Sequence, residues 1–212
     1  LEGCTRLSDD GLLSLAAMPN LQELILSGWH SRITDRGLNV LRHLTQLKRF
    51  QMCWPQRITD AGVSNLSLCN ELESVDLLGT PSGDGAIRAL TGKPKLRLLK
   101  TGKLVTDSGL PLLHGFPLFK RWQGGEVKYG FMSFDAEATH LSIDGSFTGG
   151  GLASMGGLEG LFGLSFFWHT SALTGDGLKA LIDMPNLGFL GCHDELCNDE
   201  AMRHISEIPR LR

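Results

Sequence analysis

Residues 32–38 read RITDRGL and residues 57–63 read RITDAGV, nearly the same seven residues twenty-five positions apart. Related wording stands at 7–12 (LSDDGL), 105–110 (VTDSGL) and 173–178 (LTGDGL). Similarity at a period of roughly 20–30 residues marks a chain of stacked supersecondary units, none of which can bury its apolar side alone. The residue types give each copy a local role. Thr34, Thr59, Thr106 and Thr174 sit where a helix N-cap is wanted, because a hydroxyl can accept an orphan amide hydrogen. Asp35, Asp60 and Asp107 then place negative charge at the positive end of a helix dipole. Apolar residues follow at helical spacing, Leu38, Leu41 and Leu44 in one unit and Leu178, Leu181 and Met184 in another.

Behind each predicted helix comes the pattern L-x-x-L-x-L. It reads Leu21/Leu24/Leu26, Leu47/Phe50/Met52, Leu72/Val75/Leu77, Leu161/Leu164/Phe166 and Leu187/Leu190/Cys192. The last residues of each set alternate, as a short strand with one buried face requires. Twelve residues separate the Asp position from the leading anchor of the next strand at Asp9, Asp35, Asp60, Asp84, Asp107 and Asp199. The same count holds at Gly149 and Gly175, where glycine stands for Asp. A fixed length for helix and return turn is what stacking demands, since an extra residue there would break the shared core.

This wording resembles the leucine-rich-repeat family, in its ribonuclease-inhibitor-like branch, with repeats similar to those of F-box leucine-rich-repeat proteins and of bacterial arrays. The resemblance implies an α/β fold: a right-handed solenoid, or horseshoe, with parallel strands on the concave face and helices on the convex face. It covers nearly the whole chain, read as one domain over residues 1–212 with about eight repeats, anchored at Leu21, Leu47, Leu72, Leu96, Phe119, Leu161, Leu187 and Leu211. Residues 119–140 depart from the pattern. They begin like a strand unit at Phe119 and Trp122, lose the capped helix, and resume at Ala138, Leu141 and Ile143, either as a degenerate repeat or as an insertion shaping a surface. Neither end carries a polar capping element, so the chain is expected to be part of a longer array.

Composition bounds the function. With 42% hydrophobic and 20% charged residues the chain is globular rather than disordered. Five cysteines without framework spacing fit reduced thiols and a cytoplasmic setting. No apolar run approaches the ~18 residues of a membrane span. The net charge of −3 hides an uneven distribution: −3 over residues 1–84, +7 over 85–131 and −7 over 132–212. The basic middle, which includes Lys93, Lys95, Arg97 and Lys100, reads as a solvated edge. An acidic protein partner is the next reading, and nucleic acid is disfavoured because no base-stacking aromatics are interleaved there.

In a horseshoe the outward strand positions form the natural contact surface. By spacing they include Arg49, Gln51, Asp76, Lys100, Arg121, Gln123, Phe167 and His193, with His140, Ser142 and Asp144 in the middle. Just past the strands come SGWH (Trp29, His30), MCWP (Trp54) and FFWH (Trp168, His169). Each tryptophan either covers the edge of the core or stands on the rim as a binding hot spot. No catalytic constellation, metal site or cofactor is implied. CHDELC at 192–197 suggests zinc only superficially, because Cys192 and Cys197 are both expected to point inward, away from His193. FTGGGL at 147–152 lacks the lysine of a phosphate-binding loop. The expected role is a non-enzymatic scaffold that recognises a protein partner. The alternatives are the substrate-recognition arm of a ubiquitin-ligase-type, F-box-like assembly, or a small-molecule binder or enzyme at the irregular central unit.

Overall fold

A computed structural model of the chain describes residues 4, 6–26, 32–123, 129–130, 133–134 and 138–211. Seven parallel strands form one sheet in chain order: β1 (Glu23–Ile25), β2 (Arg49–Gln51), β3 (Ser74–Asp76), β4 (Leu98–Lys100), β5 (His140–Ile143), β6 (Gly163–Phe166) and β7 (Phe189–Gly191). Between strands the chain returns through one or two turns of α or 3₁₀ helix, such as Gly37–His43, α-helical Asp60–Val63 and Asp84–Leu90. The register places Leu24, Phe50, Val75, Leu99, Leu141, Leu164 and Leu190 in a single row across the sheet. Leu24 through Leu164 in that row are buried, together with the helical Leu38, Leu41, Leu178 and Leu181 and with Leu44 at a helix end. Burying each such side chain contributes about 1.5–3 kcal/mol, so the core is a column running along the stack.

The repeated T-D-x-G wording has a cause that lies outside each unit. The Asp9 carboxylate accepts hydrogen bonds from the Thr34 amide and hydroxyl, both at 2.7 Å. Asp35 holds Thr59 in the same way at 2.8 and 2.6 Å, Asp84 holds Thr106 at 2.9 and 2.6 Å, and Asp107 holds Thr148 at 2.7 and 2.9 Å. Where Gly83 replaces the threonine, Asp60 accepts from three backbone amides instead, Gly83, Gly85 and Ala86, at 2.7, 3.1 and 3.0 Å. Each threonine hydroxyl that donates backward also accepts from its own helix, as Thr59 does from the Ala61 amide at 3.2 Å. The motif's glycine completes the clamp. A Cβ at Gly37, Gly62, Gly85, Gly109 or Gly151 would overlap the aspartate of the preceding unit. The local dipole reading of Asp35, Asp60 and Asp107 is thus incomplete, since their carboxylates bind the next layer.

At the third-last layer the clamp stops. Gly149 and Gly175 stand where aspartate would, and the backbone of Gly149 packs directly against Gly177.

The central irregularity is an insertion inside one layer. Phe119 takes the anchor position, its amide bonded to the Phe116 carbonyl at 3.1 Å as Leu47 bonds to Leu44. Its own carbonyl accepts from the Gly160 amide of the next layer at 2.9 Å. The chain from Pro117 to Lys120 is a helical turn, however, and the strand that pairs with β4 is β5, preceded by the buried Ala138, 19 residues further on. Phe119 and Ala138 therefore share one layer, and the expected strand at Phe119–Trp122 does not form. Within the insertion, Tyr129–Gly130 and Ser133–Phe134 pair as a short antiparallel ladder.

Candidate recognition surface

The pleat turns two rows of side chains outward on the concave face. One runs Glu23, Arg49, Ser74, Leu98, His140, Gly163, Phe189, and the other Ile25, Gln51, Asp76, Lys100, Ser142, Ser165, Gly191. A groove of about 400 Å³ crosses the first of these strands, lined by Ile25, Arg49, Gln51, Ser74, Asp76, Leu98, Lys100 and His140 among others. Two of its cations are paired. Arg49 faces Glu23 at 3.5 Å and Lys100 faces Asp76 at 2.7 Å. Asp76 is buried and also accepts from the Cys53 thiol at 3.3 Å and the Leu78 amide at 3.1 Å. The expected residues Arg49, Gln51, Asp76 and Lys100 thus share one groove, with Asp76 acting as its internal brace.

One histidine site lies at the end of the groove and a second lies beyond it. The His140 ring covers Gly163, where no Cβ would fit, and its Nε2 lies 3.1 Å from the Ser165 hydroxyl. Burial, followed by the charge of Lys100, pushes the His140 pKa down to about 4. That imidazole is neutral at pH 7 and a weak base toward Ser165. His169 is oriented by Asp144, which is 1% exposed: Nδ1 to Oδ2 is 2.7 Å and the His169 amide donates to Oδ1 at 2.8 Å. Among the described residues no hydroxyl or thiol hydrogen-bonds the His169 Nε2. A serine–histidine pair and an aspartate–histidine pair therefore occur at separate places, and neither builds the base-activated nucleophile of acyl transfer. His193 contacts the Thr170 hydroxyl through Nε2 at 2.7 Å, which places it beside the His169 loop.

On the upper rim Trp54 and Trp168 meet, their ring centroids 5.6 Å apart and their planes 26° from parallel, with Phe167 edge-on to Trp168. Trp168 is 62% exposed, so its ring does not serve as a core cover. Trp29 and His30 lie outside the described residues. Arg121 and Gln123, expected on a strand, are exposed residues that follow the helical turn at Pro117–Lys120 and do not belong to the sheet. Their neighbour Trp122 packs on Phe162 at 6.3 Å and under the Arg210 guanidinium at 5.8 Å.

Two further expectations change. Lys93 is not on a solvated edge. It is buried, donating to the Ser67 carbonyl at 2.5 Å and Asn70 Oδ1 at 3.0 Å, and burial lowers its pKa. Cys197 is exposed rather than inward, and it contacts Cys192, whose thiol burial pushes up to about 12. A thiol that stays protonated is a poor metal ligand, and among the described residues no group of three or more His, Cys, Asp or Glu side chains is placed to hold a metal. In FTGGGL, Thr148 caps its own short helix through the Gly150 and Gly151 amides while held by Asp107, so the glycines serve layer contact. The Asp144 brace and the Trp54–Trp168 pairing were invisible in the spacing. The one available signal was a carboxylate at an outward strand end next to a His-bearing rim loop.

No helix among the described residues is long and apolar enough to cross a membrane. No family model matches the chain. Among solved structures it is similar to an internalin, inlF, from Listeria monocytogenes, at TM-score 0.57 and 17% identity over 94% of this chain and 49% of that one. It also matches the Rad7–Elc1 complex of yeast (TM-score 0.42, 20% identity, 100% of this chain and 67% of that chain) and the actin-binding site 2 of leiomodin-1 (TM-score 0.41, 14% identity, 94% and 86%). The chain spans about half the length of the internalin.

Proposed function

From a fold that is a leucine-rich-repeat horseshoe, we propose that this chain is a non-enzymatic recognition scaffold that binds a protein partner across its concave strands and its tryptophan rim. The reading is supported by two features: a groove with mixed polar and apolar walls along the outward strand positions, and an exposed Trp168 stacked on Trp54 at the rim past the strands. Arg49, Gln51 and Lys100 offer adaptable polar contacts, and Trp168 with Phe167 offers the rigid aromatic anchor on which interfaces concentrate their energy. His169 and His193 border that anchor. Separation of the serine–histidine and aspartate–histidine pairs supports recognition over acyl-transfer chemistry.

The test compares faces. The chain and two charge-reversal variants, Arg49→Glu with Lys100→Glu on the concave side and Arg88→Glu on a convex helix, are used to capture partners from the native source. Capture lost only in the concave variant supports the reading, whereas capture lost only in the convex variant overturns it.

A further inference from the structure

In a stack of parallel units each layer touches the layers directly above and below. Trp54 and Trp168 depart from that rule. One leaves β2 and the other leaves β6, with β3, β4 and β5 between them, yet their rings stack. The rim is tied a second time over a shorter span, since Lys103 Nζ, past β4, donates to Gln56 Oε1, past β2, at 2.9 Å. Two details fix where the Trp54 ring lies. Trp54 holds φ at 69°, the one non-glycine residue in the left-handed region among the described residues. Such a conformation persists only where the surroundings over-determine it. Gly79 lies under its ring at a place where any Cβ would strike the indole.

The position of the stack along the solenoid matters as much. Trp54 belongs to the layers joined by aspartate clamps. Trp168 belongs to the first layer that lacks one, where Gly149 packs backbone to backbone on Gly177. At the helix edge of that seam glycine meets glycine without the carboxylate bonds of the clamped layers, and the directional bonds lie at the rim instead, where Asp144 holds the His169 amide and ring beside Trp168. The stack spans the seam from the opposite edge of the sheet.

We propose that the Trp54–Trp168 stack is a clasp: closed, it holds β6 and β7 against the clamped layers and fixes the width of the concave groove; released, it lets those layers swing about the Gly149–Gly177 seam. The inference concerns the protein alone and stands whether or not the concave face binds a partner. Nitroxides are placed at Asn39→Cys and Asp183→Cys, both exposed convex positions on opposite sides of the seam. The background replaces Cys4, Cys192 and Cys197 by serine. Pulsed dipolar spectroscopy then reads the distance distribution. Trp168→Ala is expected to broaden it and shift it to longer distances, while Trp168→Phe, which keeps an aromatic face, stays near the parent. An unchanged distribution in Trp168→Ala overturns the clasp. Loss of a cooperative melt in both Trp168→Ala and Trp168→Gln also overturns it, because the stack would then be part of the fold rather than a fastening on it.

Discussion

The layers before the insertion and those after it solve the same stacking problem with different chemistry. From Asp9 to Asp107, each layer grips the next through a carboxylate that satisfies an amide and a hydroxyl, or three amides, at the helix start. Beyond Thr148 no carboxylate holds the next helix start and two glycines let the backbones touch there, while the cross-layer carboxylate moves to the rim, where Asp144 holds the His169 amide and ring. The clamp even survives the insertion. Asp107 reaches Thr148 across 41 residues of chain, where the other Asp–Thr pairs lie 22 to 25 apart. The difference teaches that T-D-x-G is one half of a lock whose other half lies in the neighbouring layer, and that directional hydrogen bonds are distributed along the solenoid unequally.

Removing the strongest clamp should have the largest effect. Asp60→Ala strips three amides of their acceptor and should cost about 3 kcal/mol, given the worth of hydrogen bonds to charged groups, measured by urea unfolding. A loss near zero would reduce the ladder to an ornament. Next comes acid. The folded pKa of His140, about 4, lies below its ordinary value of 6.5. Between those values the unfolded chain takes up a proton that the folded chain refuses. Stability therefore falls as pH drops from about 6.5 to about 4, by at most about 3 kcal/mol, and this contribution is constant above that window. His140→Gln should flatten that slope in pH-dependent unfolding, and an unaltered slope would assign it to other groups.

On the glycine side, Gly177→Ala inserts a methyl against the Gly149 backbone and should cost about 1–3 kcal/mol through overpacking. Amide exchange should localise that damage to β6 and β7, whereas uniform acceleration across the sheet would erase the contrast between the halves. The smallest effect belongs to a surface pair. Arg36 and Asp10 are both well exposed, so Arg36→Ala should change stability by less than about 0.5 kcal/mol in the same unfolding assay. A larger loss would mean that neighbouring layers of the clamped half are also held by surface charge.

Much of this arrangement is legible in the sequence. The constant twelve-residue step and the alternating L-x-x-L-x-L pattern placed six of the seven strands, and Ala138/Leu141/Ile143 the remaining one, because a shared core tolerates no change in length. The same regularity misled at Phe119. It keeps the anchor's spacing from Asp107, so the count continued into Arg121 and Gln123, although the strand had been displaced to His140. A spacing rule records where a helix returns but not what the chain does next. Contacts between distant positions were hidden for a related reason. Asp35 meeting Thr59, Lys93 reaching Ser67 and Trp54 meeting Trp168 depend on layers being neighbours or on the bow of the sheet, which no single unit encodes. Burial of Asp144 beneath His169 reflects a side chain turned along the rim, whereas alternation predicts only inward or outward.

The displaced strand has a practical corollary. Between Phe119 and Ala138 the solenoid accommodates a long detour without losing the Asp107–Thr148 bond on one edge or the β4–β5 ladder on the other. That junction is a tolerant port: foreign polypeptide spliced there would hang from the horseshoe as a pendant, leaving the load-carrying column of leucines untouched.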